Sequence, residues 1–106
     1  MTIPADDAAV VVDTAGSRFV LGEGGSEAEL IYVIDGDRLL LVHTEVPSAW
    51  GGHGIGGRLV RAALALAQGD HLTVVPWCPF ARRWLQEHPE DAATVTIDWE
   101  TPRPPS

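Results

Sequence analysis

With 106 residues, 45% of them hydrophobic and 21% charged, the chain has ordinary globular usage and enough length for one core but not for two domains. Its formal net charge of -8, with every basic residue an arginine, argues against a nucleic-acid partner, because attraction to phosphates needs a basic surface. An anionic ligand would need a local site that overrides that field, such as the free amides at a helix start. The single cysteine excludes an internal disulfide and a multi-cysteine metal site, and the four histidines show no ligand spacing. No charged segment followed by an apolar one opens the chain, and no apolar run approaches bilayer length, so a cytoplasmic protein without a membrane partner is expected.

In chain order, residues 1–7 are polar and are expected to form a flexible N-terminus. Ala8–Val12 and Arg18–Leu21 are short apolar runs separated by the turn-like Asp13-Thr14-Ala15-Gly16, and Gly22-Glu23-Gly24-Gly25 breaks the second. Ala28–Ile34 is rich in β-branched and aromatic residues, and the following Asp35-Gly36 is a strong hairpin signal. Arg38–Val46 reads as the returning strand. Strict alternation places Leu39, Leu41, His43 and Glu45 on one face and Leu40, Val42, Thr44 and Val46 on the other. Pro47 marks its exit.

From about Gly54 the period becomes helical, with Ile55, Leu59, Ala62, Ala63 and Leu66 on one side and Gly69 as the expected terminator. His71–Val75 is a short β-branched run. Pro79–Glu87 predicts a second helix, with proline at its first position and Cys78 at or beside the N-cap, ended by His88-Pro89. Thr94–Trp99 predicts a last strand. Residues 101–106, half of them proline, are expected to be a flexible tail. The order predicts one α/β (α+β) domain over residues 8–100: a mixed, mainly antiparallel sheet with helices packed on it, not a doubly wound array.

The glycines at 51, 52, 54, 56 and 57 hold the most information. Gly52, Gly54 and Gly57 satisfy G-x-G-x-x-G literally. However, the strand after the helix ends in Val75-Pro76-Trp77, without the carboxylate a dinucleotide fold places there. The P-loop fails because Arg58-Leu59 stands where Lys-Ser/Thr is required. A plain turn needs only one or two glycines.

The set His43-Thr44-Glu45-Val46-Pro47, Gly54-Ile55-Gly56, Leu59-Val60, Val74-Val75-Pro76-Trp77-Cys78-Pro79-Phe80 and His88-Pro89 resembles the GCN5-related N-acetyltransferases. More closely it is similar to their small single-domain branch, the YjdJ-type acetyltransferase-like proteins. The resemblance covers about Arg18 to Asp98. It implies acetyl-CoA as cofactor, with its pyrophosphate on the backbone of Gly51, Gly52, His53, Gly54, Ile55, Gly56 and Gly57 at a helix start. His53 and Arg58 are candidates for side-chain contacts to phosphate. The family opens this signature with Arg or Gln, where this chain has Gly51. The resemblance further implies that Thr44 to Val46 pairs with the pantetheine arm, in a cleft where this strand splays from His71–Val75.

Transfer of an acetyl group to an amine needs a base for the ammonium proton and an acid for the departing thiolate. Relatives often use a tyrosine in the last helix as the acid, but the only tyrosine here is Tyr32. Cys78 is the substitute, either as proton donor or as an attacking thiol, since helix starts favour thiolates. Glu45, directly or through water, and His43 are candidate bases. Trp77 and Phe80 read as packing residues, and His88 as a partner of terminal helix carbonyls. The acceptor is an unknown amine, of a small molecule or a protein, and the chain acts as monomer or homodimer. The alternative is a non-catalytic module that binds CoA or acyl-CoA.

Overall fold

The computed structural model describes residues 9–23, 26–52 and 54–104. Its elements are β1 (Val11–Asp13), β2 (Arg18–Glu23), β3 (Ser26–Asp35), β4 (Arg38–Glu45), a 3-10 turn (Ser48–Trp50), α1 (Ile55–Asp70), β5 (Thr73–Pro76), α2 (Pro79–Glu87) and α3 (Pro89–Ala92). The five strands lie in chain order, antiparallel through β4, with β4 and β5 parallel. A parallel neighbour needs a crossover, and α1 supplies it. The mixed, mainly antiparallel sheet is therefore as expected.

The core lies on one face, where Phe19, Leu21, Leu30, Leu39, Leu41 and Val74 meet Leu59, Val60 and Ala63 of α1 and Ala81 and Leu85 of α2. We call this the inner face. The turn at residues 13–16 forms as expected, with the Gly16 amide donating to the Asp13 carboxylate at 3.0 Å. Arg18 ties β2 to its neighbours through Asp13 at 3.1 Å and Glu29 at 2.8 Å. Those contacts hold the Asp13 carboxyl below its usual range, the Gly16 amide being the largest cause, and raise the Arg18 guanidinium, with Glu29 first.

Several sequence expectations are corrected. Gly69 lies within α1, and His71, at φ 56°, adopts the left-handed cap two residues later. Histidine is among the side chains that tolerate that region. Thr94–Trp99 does not form a strand. It makes a single bridge, Val74↔Ile97, because the chain arrives from α3 and turns away at Asp98. The helix Pro79–Glu87 ends at His88 as expected, but Pro89 at once begins α3.

The largest correction lies in β4. Its pairing with β3 runs Asp35↔Arg38 to Tyr32↔Leu41, then resumes at Ile31↔His43, leaving Val42 as an extra residue. Such a bulge breaks the period of two and reverses every side chain beyond it. Thr44, opposite the buried Leu30, therefore faces inward with Leu39 and Leu41. His43, opposite Ile31, and Glu45, opposite Glu29, face outward with Leu40. Strict alternation had grouped them the other way.

Candidate active site

The β4–β5 ladder extends from Arg38↔Thr73 to Leu41↔Pro76 and stops, while β4 continues to Glu45. The stop is written into the sequence. Pro76 has no amide to donate, and Pro79 two residues after Trp77 commits the chain to α2. A final bond from the Cys78 amide to the Leu41 carbonyl, 2.8 Å, closes the paired region. There β5 ends, with all four of its residues paired, and β4 runs on past it to Glu45, so the expected splay of one strand from the other is not itself seen.

Cys78 sits just past the last rung as the N-cap of α2, with φ -65° and ψ 123°. It is 3% exposed. Its Sγ lies 3.2 Å from the Thr44 hydroxyl, a contact the bulge creates by turning Thr44 inward. On the outer face, His43 Nε2 and Glu45 Oε2 are 2.5 Å apart, and both side chains are more than half exposed. The structure thus brings His43 together with Glu45, and Thr44 together with Cys78, on opposite faces of the same strand. The Thr44–Cys78 contact escapes sequence reasoning because nothing at Val42 signals a bulge.

The glycines divide by role. Gly52 and Gly54 have φ of 80° and 69°, which explains their identity, and a Cβ on either would meet nothing within 4 Å. Gly54 is the N-cap of α1 and supplies no side-chain cap, so the amides of Ile55, Gly56 and Gly57 keep the unpaired state of any first helical turn. Gly56 and Gly57 have a different cause. A Cβ on Gly56 would collide with the Phe80 ring, and one on Gly57 would lie 2.5 Å from Trp84 Nε1. Their missing side chains let α1 press against α2. Backbone approach to a ligand is not the only use of this glycine cluster.

Gly51 is exposed with an ordinary φ of -59°. Arg58 is half-buried in the second turn of α1, and Val46 packs against the core edge after β4. His53 lies outside the described residues. His88 donates through Nδ1 to the Trp84 carbonyl at 2.7 Å and stacks on the Trp84 ring at 3.9 Å, the structural role expected of it. Tyr32 is buried, 4.9 Å from the Phe19 ring. Among the described residues no group of three His, Cys, Asp or Glu side chains gathers as metal ligands, and no helix is long and apolar enough to cross a membrane.

Past the Val74↔Ile97 bridge the chain is fastened, starting with Asp98. The Asp98 carboxylate accepts from the hydroxyl and amide of Thr101, the Glu100 amide and Arg38. These donors, those of Thr101 foremost, hold its pKa at about 2. Trp77 Nε1 donates to the Thr101 carbonyl at 2.9 Å, and Arg103 Nη1 donates to the Val42 carbonyl at 3.4 Å.

Comparison with known proteins gives three findings. A family model described as GCN5-related N-acetyl-transferase matches residues 18–95. Protein NATD1 of Gallus gallus and that of Homo sapiens are each 36% identical over 63 residues, 58% of this chain. The match takes in 57% and 56% of those proteins, so the chain spans little more than half their length. The NMR solution structure of a GCN5-like protein from Staphylococcus aureus superposes with a TM-score of 0.68 at 21% identity, covering 91% of this chain and 95% of that one. At that identity the likeness speaks to the fold alone.

Proposed function

Because the chain belongs to the GCN5-related N-acetyltransferase family, we propose that it binds acetyl-CoA beyond the last β4–β5 rung, where β4 runs on past the end of β5, and transfers the acetyl group to an amine. The observation that carries this reading is the end of the β4–β5 ladder at Leu41↔Pro76, with β4 running on toward a helix start that has no side-chain cap.

The residues present suit the cofactor. The first-turn amides of α1 and the positive end of its dipole favour a pyrophosphate, and the open space beside Gly52 and Gly54 leaves room for one. Arg58 adds charge one turn further along. The β4 segment from Thr44 to Val46, beyond the last rung to β5, offers backbone groups to the amides of a pantetheine arm. Acetyl-CoA supplies an activated thioester. Glu45, hydrogen-bonded to His43, takes the proton of the acceptor ammonium from the outer face. The Cys78 thiol, steadied by Thr44, returns a proton to the departing thiolate. Its burial favours this role over carrying the acetyl group itself, which needs space around sulfur. One observation favours the non-catalytic module instead: Tyr32, the only tyrosine, is buried in the core and supplies no acid.

Thermal unfolding with CoA and with acetyl-CoA tests the reading. A ligand that binds only the folded state adds about 2.7 kcal/mol at a hundredfold excess over its Kd. A melting temperature indifferent to both compounds refutes cofactor binding. Stabilisation without acetyl transfer to any amine leaves the binding module.

A further inference from the structure

The outer face of the sheet carries a feature that cofactor binding does not use. Leu40 and Val75 point away from the helices and lie outside the main core cluster, yet are only 8% and 0% exposed. The chain after Ile97 is positioned to cover them. It leaves the far edge of β5 and is anchored at Thr101 by Trp77 and by Arg38, the latter at 2.8 Å. Arg38 shares the outer face with Leu40 by alternation. The segment then reaches β4, where Arg103 bonds to the Val42 carbonyl. Val42 is the bulge residue, the first one past the last β4–β5 rung. A guanidinium therefore rests on the carbonyl of the first β4 residue past the last β4–β5 rung, one residue before His43.

We propose that Arg103 occupies the position of the acceptor amine, so that residues 102–104 form an internal competitor and the acceptor is a lysine-like side chain on a peptide segment that displaces them. The proposal rests on the acetyl-transfer reading above. A backbone carbonyl accepts from an ammonium as well as from a guanidinium. A guanidinium stays protonated in proteins, so it holds the position without attacking a thioester. The anchoring is graded to allow exchange. Thr101 is fixed by four side-chain bonds to Asp98, Arg38 and Trp77, whereas Arg103 has one long, exposed bond. The arginine can leave while Thr101 stays.

The sequence contains no lysine, which makes Arg103→Lys an informative probe. In the presence of acetyl-CoA the new amine attacks the thioester carbonyl. A C–N bond forms and the C–S bond breaks. The ammonium proton passes to Glu45, the coenzyme thiolate takes one from Cys78, and the second proton shed by the nitrogen as it becomes an amide restores the Cys78 thiol. Intact mass and peptide mapping should show one acetyl group at position 103, gained at a rate independent of protein concentration. Arg83→Lys, at an arginine 79% exposed on α2, should stay unmodified on that timescale. Arg103→Ala should lower the KM for a lysine-containing peptide roughly threefold to tenfold, as expected for removing one weak occupant. If CoA stabilises the protein but position 103 is acetylated no faster than position 83, or Arg103→Ala leaves KM unchanged, the inference is overturned. If CoA does not stabilise the parent, the cofactor reading has failed first and takes this one with it.

Discussion

Replacing Gly57 with alanine should destabilise the protein, although alanine is the better helix former. The substitution gains about 1 kcal/mol in helix propensity at most, and less in a first turn. Against it, the new methyl would sit 2.5 Å from Trp84 Nε1, 3.1 Å from Cε2 and 3.4 Å from Cδ1. Trp84 has little freedom to yield. It is 8% exposed, stacked on His88 at 3.9 Å and covered by the Arg61 guanidinium at 5.1 Å. Overpacking of this kind costs about 1–3 kcal/mol, so a net loss of about 1 kcal/mol is expected. For a domain of this size that corresponds to a fall of about 4–8 °C in melting temperature. Gly69→Ala is the internal control, since it lies in the same helix with nothing within 4 Å of an added Cβ. It should raise stability by about 0.5–1 kcal/mol. Urea midpoints for both variants decide the matter. If Gly57→Ala stabilises as much as Gly69→Ala, the close contact of α1 with α2 is not what selects glycine there.

Three further outcomes are expected. Asp98→Asn should lower stability near neutral pH. The folded pKa of Asp98, about 2, lies below its ordinary 3.8, so its contribution is full above about pH 4 and fades as pH falls through 2. The parent and variant urea midpoints should therefore converge near pH 2, and a gap that persists there would contradict the assignment. Cys78→Ala should slow acetyl transfer by about a hundredfold if the thiol is the proton donor, and transfer at the parent rate removes it from the mechanism. Glu45→Gln should reduce kcat by about 10²–10⁴ with little effect on stabilisation by CoA, and an unchanged kcat would point to another base.

What the sequence conveyed depended on local chemistry. The Asp35-Gly36 hairpin and the helix from Pro79 to Glu87 were legible because proline and glycine act on their own backbone. The end of β5 at Pro76 follows from proline's missing amide and the helix start just after it. The faces of β4 were not legible, because Val42 has the same strand propensity as its neighbours and only its pairing with β3 reveals the surplus residue. The role of Gly56 and Gly57 was hidden for a related reason. Their neighbours, Phe80 and Trp84, are more than twenty residues away in sequence. The proline-rich composition after Glu100 suggested a free tail, and nothing local revealed the bonds at Thr101 that hold its start.

The bulge at Val42 also means that the strand encodes sidedness as a parity. Each residue before it reports one face by being odd or even, and each residue after it reports the reverse. Deleting Val42 would remove the surplus residue and leave Ile31↔His43, Leu30↔Thr44 and Glu29↔Glu45 in regular register, so His43 and Glu45 would stay outward and Thr44 inward. The surplus residue is therefore slack in the strand: a single deletion can be absorbed by closing the bulge, whereas a single insertion has no such outlet.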